Sequence, residues 1–104
     1  MTANTTPIPS KYTTKPNACV MCKRKVSLTF HHLIPRKMHR RTFFRKNYSK
    51  SELAAGIWIC RKCHNGLHRL YDEMTLAKNF FTLELVTADP AIQKHIGWVA
   101  KQKA

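Results

Sequence analysis

Four cysteines stand in two pairs of equal spacing, Cys19/Cys22 and Cys60/Cys63. Two Cys-x-x-Cys turns can present four thiolates tetrahedrally to one zinc ion, each pair gripping from a tight turn. With all four positions filled by protein, such a zinc is structural and closes the fold. Four unrelated buried or redox-active cysteines are the bland alternative, and they leave the repeated spacing unexplained. Histidine is the second chemistry-bearing type. His64 and His68 are four residues apart, which on a helix sets both imidazoles on one face within reach of one cation. His31 and His32 are adjacent at the end of an apolar stretch. Either pair alone reads equally well as solvated or hydrogen-bonded core histidines.

The cysteines change that balance. A zinc shared by both pairs draws the chain before His31 against the segment that begins at Cys60, and so gathers His31, His32, His64 and His68 around one cleft. Three imidazoles on a second divalent cation (Mg²⁺, Mn²⁺, Ni²⁺ or Zn²⁺) leave positions open for water and a phosphate oxygen, as a hydrolytic site requires.

The elements that must hold these groups can be read from periodicity. Residues 1–17, punctuated by Pro7, Pro9 and Pro16 and rich in Thr and Asn, read as a flexible or extended arm. Residues 26–30 alternate apolar and polar as a short strand does, with the two histidines where it ends, and Ile57-Trp58-Ile59 forms a second strand leading into Cys60. A helix is expected over 61–71, with Leu67, Leu70 and Tyr71 as its apolar stripe. Asp72 can cap a helix through 80, and Thr82 can open another through 88. Asp89-Pro90, an N-cap followed by proline at the first helical position, starts a last helix over 90–103 whose core face is Ile92, Ile96 and Val99.

Nineteen Lys and Arg against five Asp and Glu give a formal charge of +14 over 104 residues. Such a surface repels itself until a polyanion neutralises it, and phosphates that shed condensed counterions are the fitting partner, so DNA is expected. The densest positive stretch lies at 36–50, where Arg36, Lys37, Arg40, Arg41, Arg45 and Lys46 interleave with Phe43, Phe44 and Tyr48. It reads as a phosphate-tracking surface, against the plainer reading of a solvated basic loop. No apolar run spans a bilayer, no hydrophobic signal opens the chain, and no basic helix carries a continuous apolar face, so no membrane partner is expected. A cytoplasmic location follows, where paired cysteines bind metal rather than form disulfides.

His31-His32-Leu33-Ile34-Pro35 followed by Cys60-x-x-Cys63-His64-Asn65-Gly66-Leu67-His68 resembles the core of the HNH endonucleases, in the subgroup pinned by a four-cysteine zinc. The resemblance covers residues 19–71, and the C-terminal helices are similar to those of small stand-alone bacterial or phage HNH proteins. It implies an α+β fold with a ββα-metal core, one nuclease domain over 18–104, and metal-dependent DNA hydrolysis leaving 5′-phosphate ends, by nicking or double-strand cleavage. It also implies His31, His64 and His68 as ligands of the catalytic metal and His32 as general base. The family's middle asparagine, which braces the loop of the catalytic histidine, has Asn47 as its nearest candidate here and Asn65 as a second. A single cleft per chain fits a monomer that nicks or a homodimer that cuts twice. The rival readings are a non-catalytic zinc module that binds nucleic acid, and an interaction protein of a larger nucleoprotein assembly.

Overall fold

Two short strands lie at the centre because β-branched and aromatic residues recur there. β1 (Leu28–His32) pairs antiparallel with β2 (Gly56–Cys60), in the register Leu28↔Cys60, Thr29↔Ile59, Phe30↔Trp58, His31↔Ile57 and His32↔Gly56. The structure is a computed structural model, and it describes residues 15–102. β1 begins two residues later than the alternation at 26–30 suggests and takes both histidines into the sheet. The reason is in the partner: β2 ends at Cys60, which is already the N-cap of the next helix, so Val26 has nothing to pair with. Most of the arm expected over 1–17 lies outside the described residues.

The segment between the strands is ordered by its own small core rather than irregular. It holds a 3-10 turn (Arg36–Met38), α1 (Thr42–Asn47) and α2 (Lys50–Leu53). Ser49 and Glu52 close a reciprocal capping box at the start of α2. Ile34, Met38, Phe44 and Leu53 bury together with Ala77, while the basic residues between them face solvent.

α3 (Arg61–Leu70) leaves β2 directly, and α4 (Glu73–Asn79), α5 (Leu83–Ala88) and α6 (Pro90–Ala100) follow. Asp72, Thr82 and Asp89 each accept a backbone N–H as N-caps of the last three helices, as their positions in the sequence suggest. α6 ends at Ala100, three residues before the expected boundary. On α3, Leu67 is buried, whereas Leu70 is exposed and Tyr71 lies just past the helix end. The half-buried Tyr71 ring still packs on the main core as expected, and its hydroxyl donates to Asp89 Oδ2 at 2.8 Å, tying the end of α3 to the start of α6.

The larger core gathers the four cysteines with Ile57, Ile59, Leu67, Leu76, Ile92 and Val99. α6 lies against α3, where the His95 ring occupies the space a Cβ at Gly66 would need. The fold is thus a small α+β domain with a two-stranded sheet, a helical cover and a cysteine cluster at the centre of its main core. No helix among the described residues is long and apolar enough to cross a membrane.

Candidate metal centres and the histidine cleft

Cys19, Cys22, Cys60 and Cys63 converge as their spacing suggests. All four are buried, and their sulfurs lie within 4.8 Å of one another, a grouping that can hold a metal ion. Each pair is shaped by its own backbone: Met21 and Cys22 N–H point at Cys19 Sγ, and Cys63 N–H points at Cys60 Sγ, each at 3.4 Å. The first turn closes through Lys23, which adopts a left-handed backbone at φ 69°. The Arg24 guanidinium donates to Cys22 Sγ at 3.4 Å and to Cys60 Sγ at 3.2 Å, bridging the two pairs.

The electrostatics of the cluster favour a cation. A hydrogen bond from the Cys63 thiol, with others from the backbone, outweighs burial and pulls the Cys19 thiol down to about 4. The same hydrogen bond and burial push Cys63 up, and burial raises Cys22. One thiolate forms readily, and further negative charge needs a metal to compensate it. Four convergent sulfurs with this chemistry fit a structural zinc.

His31, His64 and His68 form the second group, again with candidate ligand atoms within 4.8 Å of one another. Their ring centroids are 5.0–5.4 Å apart. Strand alternation sends Thr29 and His31 to the α3 side of β1, and the i, i+4 spacing sets His64 and His68 opposite them. His31 is 1% exposed, and its Nε2 is buried without a hydrogen-bond partner among the described residues. An orphaned buried imidazole nitrogen is costly unless something occupies its lone pair or proton, and a cation does so.

Thr29 fixes the neighbouring ring. Its hydroxyl donates to the Ile59 carbonyl at 3.0 Å, so at 2.8 Å from His64 Nδ1 the same oxygen acts as acceptor. His64 then carries its proton on Nδ1 and keeps the Nε2 lone pair for a ligand role, an orientation typical of metal-binding histidines. Burial, followed by the nearby histidines, holds His31 down to about 3. Burial, then His68, Arg61 and His32, holds His64 down to about 4. Both rings are therefore neutral, as ligands must be, at any pH near 7.

These groups border a cleft of about 290 Å³ that also includes Phe30, His32, Arg36, Lys37 and Glu73. His32 follows His31 on β1 and packs edge-on against Phe30 at 5.1 Å. No family model matches the chain, and no match is found among curated proteins or solved structures. What the cleft can do rests on its own geometry.

Of the six cations expected to track phosphate, Arg36 and Lys37 line the cleft, whereas Arg40, Arg41, Arg45 and Lys46 are exposed away from it. Asn47 is not brought to the site. It ends α1, exposed, with its amide donating at 2.7 Å to the Phe43 carbonyl of its own helix. Asn65 is exposed on α3 and does not line the cleft either.

A side-chain bond to the segment after β1 is made instead by His39. Its Nε2 lies 2.6 Å from the Ile34 carbonyl, and because a carbonyl only accepts, that nitrogen carries the proton. Its ring sits 5.6 Å from that of His32. Thr29, His39 and Glu73 are the residues that sequence reasoning missed. Thr29 had a signal in its two-residue spacing from His31, while Glu73 had none.

Proposed function

We propose that this chain is a metal-dependent DNA endonuclease of the HNH type, with a zinc in the cysteine cluster and a catalytic divalent cation among His31, His64 and His68. The observation that carries the reading is the buried, unpartnered His31 Nε2, converging with two further imidazoles at the wall of a cleft flanked by Arg36 and Lys37. A structural role for the three histidines would leave that nitrogen unsatisfied.

His32 is the general base, taking a proton from the water that attacks phosphorus. His39 holds the loop behind it through Ile34. Arg36 and Lys37 bind the phosphate oxygens and orient the diester for in-line attack. A divalent cation, when bound, supplies Lewis-acid stabilisation of the phosphate charge and of the departing 3′ oxygen, so that the product carries a 5′-phosphate.

The test is cleavage of supercoiled plasmid in Mg²⁺, Mn²⁺, Ni²⁺ or Zn²⁺, with His32→Ala and His68→Ala run beside the wild type after their zinc content is matched. The wild type is expected to nick or linearise DNA, and each variant to lose about 100-fold or more. A wild type that binds DNA but cuts in none of these metals overturns the catalytic reading in favour of a zinc-stabilised binding module.

A further inference from the structure

α3 also borders a second, larger concavity, beside the cysteine cluster. This open groove of about 650 Å³ is lined by Asn17, Arg24, Lys25, Ser27, Arg61 and Lys62 among others, and no carboxylate of the described residues lines it. Two of its four cations are engaged within the protein. Arg24 donates to the cysteine sulfurs, and the Lys62 ammonium lies 5.9 Å from the centre of the Trp98 ring. Lys25 and Arg61 are both exposed, and with Ser27 and Asn17 they give the groove donors, while its one cysteine, Cys60, is taken by Arg24.

The groove and the histidine cleft both border α3. Arg61, His64 and His68 stand at i, i+3 and i+7, so all three project from the same side of α3. Lys25 and Arg61 remain as exposed cations in the groove, and phosphodiester oxygens are the charge that fits them.

We infer that this groove is a second nucleic-acid subsite, in which Lys25 and Arg61 bind backbone phosphates flanking the one held in the histidine cleft. The inference rests on the proposed nuclease reading for where the flanking phosphates lie, but binding itself can be read without cleavage. The groove contacts phosphates rather than bases, so it adds affinity on any sequence and sets how much DNA the protein must cover.

The zinc-loaded full chain is titrated with a fluorescein-labelled DNA duplex by anisotropy, without a second metal, across about 50–200 mM salt. Lys25→Gln/Arg61→Gln is compared with Lys78→Gln/Lys94→Gln, which removes the same charge from positions lining neither cavity and outside the basic stretch at 36–50. The groove pair is expected to flatten the slope of log K against log salt by about 1–2 and to weaken binding roughly ten-fold at low salt, well beyond the control pair. Equal losses in the two pairs overturn the inference, as does a wild type that binds an acidic protein but no DNA. Plasmid cleavage by a wild type whose groove variant binds like the control sinks the groove alone. Groove-dependent binding without cleavage sinks the nuclease reading alone.

Discussion

At the residue scale, His39 rather than Asn47 supplies the side-chain bond to the loop leaving β1. Its ring spans from the face of His32 to the Ile34 carbonyl, so the loop leaving β1 is fixed by a side chain that touches neither cation site. Replacing it with Ala removes one hydrogen bond of about 1 kcal/mol and frees the loop beneath the base. His39→Ala is expected to lower the plasmid-cleavage rate about 10- to 100-fold with little change in DNA affinity. His39→Gln, which returns an amide donor near the Nε2 position, should recover most of the rate. Equal losses in the two variants would mean that the ring acts only as packing. The four cysteines and the His64/His68 pair are legible in sequence because metal chemistry constrains spacing, whereas the choice of His31 over its neighbour His32 rests on the resemblance and needs the strand register to be seen. His39 is not legible there, because its partner is a backbone carbonyl whose direction exists only once the loop has folded. Asn47 misleads for the same reason: the turn of α1 directs its amide back onto Phe43.

Elements decide which histidine does what. The register of β1 against β2 gives His31 the inward position opposite Ile57 and His32 the end position opposite Gly56. A β-sheet slip by one residue exchanges the two faces, so the pairing has to be held firmly. Gly56 is part of that hold. A Cβ there would run into the His31 carbonyl oxygen and would sit 2.6 Å from the Phe30 ring, and Phe30 is the ring against which His32 packs. Gly56→Ala is expected to destabilise the fold by roughly 1–3 kcal/mol in urea melts and to cut activity further than the lost folded fraction accounts for. A variant with wild-type activity per folded molecule would show that the strand end tolerates the shift without moving His32. The helices are readable in advance because Asp72, Thr82 and Asp89 are local signals that act within one turn. α1 and α2 are not, since a stretch of mixed charge and aromatics has no period until Met38, Phe44 and Leu53 find a common core.

For the whole molecule, burying two neutral imidazoles ties stability to pH. His31 and His64 are held down to about 3 and about 4 in the fold, mainly by burial, against an ordinary value near 6.5 in the unfolded chain. As pH falls through about 6.5 the unfolded state takes up protons first, so stability present above that pH is lost progressively toward pH 4. For His31 the loss by pH 5 is about 2 kcal/mol, and less for the half-exposed His64, where solvent screens the effect. Urea midpoints measured between pH 7.5 and 5 should decline, and the decline should shrink in His31→Phe. A slope that the substitution leaves untouched would assign the acid sensitivity to His64 and the cysteine cluster instead.

The two hydrophobic cores described above divide the chain in a way that matters for redesign. Cysteines, strands and α3 share one core, while residues 36–53 are anchored by another. The small core also takes in Ile34, just past β1, and Ala77 of α4, so a change of length or shape within 36–53 reaches the end of the sheet and α4 as well as the insert's own surface. The insert's exposed basic side chains, by contrast, can be changed in charge without touching the packing of either core.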